Sequence, residues 1–347
     1  MTSEIGQGLN STARATAIRT ESTESTGIRK CIYCLQQKPL KEFNREHVLH
    51  DAFTKNIAEN LVLRERVCQE CNSELDRRLD VVLTRKTLEA TQRFATNMKP
   101  LKSLKDVGTG NVSHMATSDD PVYDGIPMVL AEVNGEMGYI PKPHIALLTS
   151  GNITRLFVEQ LSDRGYKIPH VEPGAVAIYV EGRDEDKALL MRLAEERGFQ
   201  QQITGERIPG DQSVFGFANQ DVVVMRGIAK IAFNYLAFIT TAGQPELIFH
   251  ESFDAAREFI LNGKDPNFGI VCLLTINPNA TYKDKFHSVR LEQTKLADTY
   301  YIMAGVTIFG LAEYQVALSR TSSPIFETLA SHHIWDIPTR KCFKMNS

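Results

Sequence analysis

Polar and apolar positions along this chain of 347 residues fall into three regimes. Residues 1–28 (MTSEIGQGLNSTARATAIRTESTESTGI) are small, polar and without period, which predicts a disordered tail. Residues 29–98 are patterned. EFNREHVLHDAF reads as a short strand and a turn, and Asn60-Leu61-Val62-Leu63 as a second strand. Leu75, Leu79, Val82/Leu83 and Leu88 then recur near helical spacing with charges between them, predicting one helix from about Ser73 onward. A strand–strand–helix unit of this size has little core of its own. Residues 99–122 are rich in Lys, Gly, Ser, Thr and Asp, including Lys99, Lys102 and Lys105, and predict a linker.

From residue 123 to 347 both periods occur. GIPMVLAEV and AVAIYVEG read as strands, and DEDKALLMRLAEERGF as an amphipathic helix with acidic residues in its first turn. VVVMRGIAKIAFNYLAFITTAG is the longest apolar helical stretch and the expected core helix. FDAAREFILNG is a further helix ending in glycine. GIVCLLTI, HSVRLEQ, TYYIMAGVTIFG and AEYQVALS alternate as strands of one largely antiparallel sheet. The fold class predicted is α+β: a small ββα module, then a larger mixed domain expected to regulate, dimerise or position it.

Composition refines this picture in two places. Hydrophobic residues at 42% and charged residues at 23% are ordinary for a globular protein, and no run approaches the roughly 18 apolar residues of a membrane span. The net charge of −3 conceals an asymmetry: residues 29–105 hold 16 Lys/Arg against 10 Asp/Glu, leaving 23 against 32 elsewhere. A basic module beside an acidic one suggests that the first meets a polyanion. No apolar leader is visible near Met1, so a reducing cytoplasmic setting is expected, in which paired cysteines read as metal ligands. Cys272, in an apolar run, is expected to be buried.

The chemistry concentrates between Cys31 and Leu79. Cys31/Cys34 and Cys68/Cys71 form two Cys-x-x-Cys turns, a strong signal for one closed four-cysteine zinc site. The 33 residues between them hold Glu46-His47, and Asn72 follows the second pair directly. Phosphodiester hydrolysis needs a base for water and a divalent cation for the charge on the leaving oxygen. His47, with an ordinary pKa near neutrality, suits the first role. Glu46 and Asn72 offer hard oxygen ligands for an ion such as Mg²⁺ or Mn²⁺.

Cys31-x-x-Cys34, Glu46-His47-Val48, Asn60-Leu61-Val62-Leu63 and Cys68-x-x-Cys71-Asn72 together resemble the motif of HNH endonucleases, in the bacterial group with four zinc cysteines. The resemblance implies a ββα-metal module in which His47 is the general base and Asn60 braces the loop and orients it. Glu46 and Asn72 would hold the catalytic ion, and the four cysteines a structural zinc. It implies nucleic acid as partner, with double-stranded DNA expected, and a role in defence against foreign DNA. Arg64, Arg66, Arg77 and Arg78 are candidate phosphate contacts, although Glu74 four residues before Arg78 offers a simple surface pair. One departure stands out: His50 occupies the place of the family's usual proline. A solitary histidine there reads more readily as a turn residue than as a ligand. The rival readings are a zinc-dependent DNA-binding protein without catalysis, and a nuclease gated by a ligand on the C-terminal domain. A homo-oligomer is compatible with each.

Overall fold

A hairpin, a helix and the turns around two cysteine pairs form the N-terminal module. The computed structural model describes residues 27–100, 112–118, 124–133, 135–149, 152–168, 176–180, 184–198, 203–207, 213–218, 221–265, 269–277 and 285–345. The tail expected over residues 1–28 lies, but for its last two residues, outside the described residues. Strand Phe43–His47 pairs antiparallel with Val62–Cys68, setting Glu46 opposite Leu63 and His47 opposite Val62. The register shifts beside Glu65, at φ 59°, where three residues of the second strand lie opposite one of the first. Because strand side chains alternate, Glu46 enters the interior while His47 stays half exposed.

The following helix departs from the single run that the periodicity predicts. Gln69–Leu75 widens into a π-helical turn over Asp76–Asp80, resumes as Val81–Arg85, and stops. A separate helix, Leu88–Ala95, begins at Thr87, whose hydroxyl accepts from the Ala90 amide and donates to the Leu83 carbonyl. Threonine bonding its own backbone in this way favours a cap over helix continuation.

The expected core helix is Val222–Thr241, with Asp221 accepting from the amides of Val223 and Val224 at its start. It is long and apolar enough to cross a membrane, yet most of its length is buried inside the fold. One of its neighbours is a six-stranded antiparallel sheet in the order 271–276, 312–321, 299–308, 286–296, 330–336, 341–345. The first four strands follow the alternation in the sequence. Ala330–Asp336 does not, because its inward positions are Ser331, His333 and Trp335 rather than aliphatic residues. Cys272 is exposed, correcting the burial expected from its apolar run: it lies on an edge strand, flanked by half-buried Val271 and Leu273.

Between the N-terminal module and the core helix lie two four-stranded sheets. Strand Val112–Thr117, within the stretch whose composition predicts a linker, pairs with Ser213–Ala218 and Pro127–Val133. In the other sheet, Ile145, Leu147 and Leu156 share a small core with Leu190 and Leu193 of the helix Asp184–Glu196.

The ββα module has no separate core. Tyr33, Phe53, Leu63 and Leu83 belong to the same buried cluster as Phe233, Phe253, Phe309 and Trp335. Tyr33 packs on Phe233 with ring centroids 5.6 Å apart, and Phe53 meets Phe309 edge-on at 5.5 Å. His287 completes this seam. Its Nε2–H donates to the Phe53 carbonyl at 3.0 Å, and its Nδ1 accepts from the Phe309 amide at 3.2 Å, which requires a neutral ring.

Burial pushes the His287 imidazole down to about 3, against about 6.5 in an unfolded chain. Between those values the unfolded state binds more protons, so the stability is fully present above about pH 6.5 and drains away as pH falls toward 3. Urea unfolding across that range should show wild type losing stability with acid more steeply than His287→Gln, by up to one proton's worth of slope. Parallel curves would contradict the assignment.

Candidate active site in the cysteine-bracketed hairpin

The four cysteine sulfurs lie within 4.8 Å of one another, with Cys34 and Cys68 at 3.9 Å. Leu35, at φ 61°, turns the chain after the first pair, and the Cys68 amide donates to the Cys31 sulfur. Crowding so many thiols divides them: a hydrogen bond from Cys71 draws Cys31 down to about 5, while burial pushes Cys34 up to about 11. A soft dication would hold all four as thiolates, so the set fits structural zinc.

The two cysteine turns frame the hairpin, and the core helix reaches into it. Arg226, Lys230 and Asn234 recur every four residues along one face of that otherwise apolar helix. The Lys230 ammonium lies 2.5 Å from Glu46 Oε1 and 2.7 Å from Asp80 Oδ2, all three side chains at most 7% exposed. Burial opposes the charge on Lys230, but Asp80 and Glu46 outweigh it and raise the pKa above the ordinary lysine value. Asn234 donates to the same Glu46 oxygen at 2.9 Å and to the His47 carbonyl at 3.1 Å. Its own oxygen accepts from Tyr33, inside the first cysteine turn. The π-helical turn is what brings Asp80 to this position, one residue out of step with a regular helix.

His47 is braced from the far side. Asn60 lies 2.8 Å from His47 Nδ1 and 2.6 Å from the Thr54 hydroxyl through Nδ2, while its oxygen accepts from Trp335 Nε1 at 3.2 Å. Indole N–H can only donate, so Trp335 fixes which way the Asn60 amide faces. Nδ2–H then points at His47 Nδ1, and the neutral ring carries its proton on Nε2. Burial lowers the pKa of His47, keeping the ring neutral near neutral pH.

Asn72 donates to the Arg45 carbonyl through Nδ2, leaving its oxygen unused among the described residues. Glu46 and Asn72, expected as joint ligands of one ion, therefore stand in different surroundings: Glu46 faces Lys230, and Asn72 is near the surface. Arg77 and Arg78 both pair with Glu74, whereas Arg64 is exposed on the hairpin without a partner among the described residues. The Arg66 carbonyl accepts from the Ile32 amide, tying that strand to the cysteine turn. His50 accepts from the Ala52 amide through Nδ1, a turn contact, and its Nε2 lies 3.4 Å from Asp76. That amide leaves the proton on Nε2, so towards Asp76, and towards any ion near Asp76 and Asp80, His50 is a donor rather than a ligand. Lys230, Asn234, Asp80, Thr54 and Trp335 escaped the sequence reading. The four-residue polar spacing in the apolar helix was the available signal for the first two.

A family model for HNH endonucleases matches residues 31–88, which span the cysteine turns, the hairpin and the first helix. Comparison with curated proteins and with solved structures gives no match.

Two outcomes test this construction. Purified protein should carry one zinc per chain by elemental analysis, lost in Cys68→Ser together with cooperative unfolding. Lys230→Met strands two buried carboxylates and should cost about 3–5 kcal/mol in urea unfolding. Adding Glu46→Gln and Asp80→Asn should restore part of that loss. A Lys230→Met protein as stable as wild type would show that the ion pair is not formed.

Proposed function

We propose that the module over residues 31–88 makes this chain a divalent-metal-dependent endonuclease, acting on nucleic acid and by preference on double-stranded DNA. The observation that carries this reading is His47: neutral, half exposed, and oriented by Asn60 on a zinc-held hairpin of the HNH type. His47 is the base for the attacking water. It takes the proton at Nδ1, the nitrogen whose lone pair faces Asn60, once water displaces the Asn60 N–H; that amide keeps its bonds to Thr54 and Trp335. The water oxygen then bonds to phosphorus as the bond from phosphorus to the leaving oxygen breaks.

The bound ion would neutralise charge developing on the leaving oxygen. Hard oxygen donors on the hairpin and the helix after it would suit it: the Asn72 oxygen, the Asp76 carboxylate one helical turn on, and the Glu46 oxygen not engaged by Lys230. The exposed Arg64 and the basic balance of the module favour a polyanionic substrate. A second reading, nucleic-acid binding without cleavage until the C-terminal half releases Glu46, draws on the Lys230 ion pair.

Nicking of supercoiled plasmid with Mg²⁺ or Mn²⁺ decides between them. Wild type should nick, and His47→Ala should lose at least about a hundredfold in rate, the usual scale of general-base catalysis. Equal inactivity of both proteins, with DNA binding intact, would favour the second reading.

A further inference from the structure

Beside the hairpin lies a cleft of about 480 Å³, within the range of small-ligand sites, and none of the roles above uses it. Val62, Leu63 and Arg64 of the hairpin form one wall, and Phe238, Ile239, Thr241 and Ala242 at the end of the core helix form another. His333 and Lys344 of the C-terminal sheet close it. Three features make it more than an apolar gap. Arg64 and Lys344 are both exposed cations on its lining, and neither has a partner among the described residues. His333 is 8% exposed, with Nδ1 bonded to the Tyr235 hydroxyl at 2.7 Å and Nε2 without a partner among the described residues. Phe238 adds an aromatic face, half buried and edge-on to His333.

Its position is equally specific. Val62 stands opposite His47 in the hairpin, so the two side chains share a face, and Arg64 follows two residues later. On the other side, His333 neighbours Trp335 with ring centroids 6.4 Å apart, and Trp335 holds Asn60. The cleft thus borders the strand paired with His47 on one side and the neighbour of Trp335 on the other.

We infer that this cleft is a nucleotide subsite of the strand being cut: an unstacked base lies against Phe238, Ile239 and Leu63, with its phosphate between Arg64 and Lys344. An aliphatic acid would satisfy the cations and the floor but leave the His333 Nε2 edge unmet; a base has polar edges for it. Base–aromatic stacking combined with backbone phosphate contact is the general means of holding single-stranded nucleic acid. The inference rests on the endonuclease reading for its choice of a strand over a free nucleotide, and it adds local strand opening to that reading. A duplex substrate would have to present one base outside its stack.

The chain supplies its own reporter, because Trp335 is its single tryptophan. Fluorescence of the full-length protein, without added divalent ion, is titrated with 5′-phosphorylated tetrathymidylate, thymidine monophosphate, thymidine, inorganic phosphate and octanoate. The tetranucleotide should give a saturable change, the monophosphate should bind more weakly, and thymidine, phosphate and octanoate at least tenfold more weakly. Arg64→Gln/Lys344→Gln should weaken tetranucleotide binding at least tenfold, whereas Arg64→Lys/Lys344→Arg should largely retain it; both change exposed side chains, and circular dichroism checks their fold. His47→Ala should bind like wild type. Absence of any saturable change, confirmed by calorimetry, or unaltered binding in the Gln double variant would overturn the subsite. Thymidine monophosphate binding more tightly than the tetranucleotide would make it a free-nucleotide site and equally overturn it. Binding as expected with no nicking by wild type would sink the endonuclease reading instead, so the two failures are separable.

Discussion

One ammonium group ties the molecule together. Lys230 sits between Glu46 of the hairpin and Asp80 of the following helix, in surroundings from which water is nearly excluded. Removing three charges from water is expensive, and attraction among them returns that cost only when the geometry is good. The arrangement therefore contributes more to register than to net stability. A hairpin that slipped by one residue would turn Glu46 outward and leave Lys230 with Asp80 as its one buried carboxylate. Asn234, one helical turn away, enforces the same register by bonding both Glu46 and the His47 carbonyl. The orientation of His47 thus follows from a helix nearly two hundred residues downstream.

This explains why a module so small carries so little core of its own. The four-cysteine cluster closes one end, and the other is finished by Phe233, Phe253, Phe309 and Trp335. Arg257 extends the same dependence: its guanidinium donates to the Ile32 carbonyl inside the first cysteine turn and pairs with Asp254. Tyr314 does so again, donating to the buried Glu89 of the helix after the break at Thr87. The C-terminal half is therefore structural support for the hairpin, whatever else it does.

What the sequence disclosed, and what it withheld, follows from the range of each interaction. The cysteine pairs, the Glu46-His47 dipeptide and the helix periods are local patterns, readable within a few turns of chain, and the family match over residues 31–88 agrees with them. The break at Thr87 was also local, but it depended on a hydroxyl whose bonding leaves no mark in a hydrophobic pattern. The strand carrying His333 and Trp335 was hidden for a different reason: its inward face is polar and aromatic because it serves Tyr235 and Asn60. Lys230 and Asn234 were visible as polar residues in an apolar helix, yet nothing local named Glu46, 184 residues away, as their partner.

The bond between Asn60 and Trp335 spans 275 positions of sequence. A chain emerging from the ribosome at about 5–20 residues per second makes the hairpin many seconds before its last brace. During that interval the cysteine turns and His47 already exist, but Asn60 has nothing to set its amide and Glu46 lacks its counter-ion. In a chain built in this order the motif residues precede the groups that position them. The brace is complete only when strand Ala330–Asp336 docks, so a truncated product carrying every motif residue would lack the group that sets the Asn60 amide.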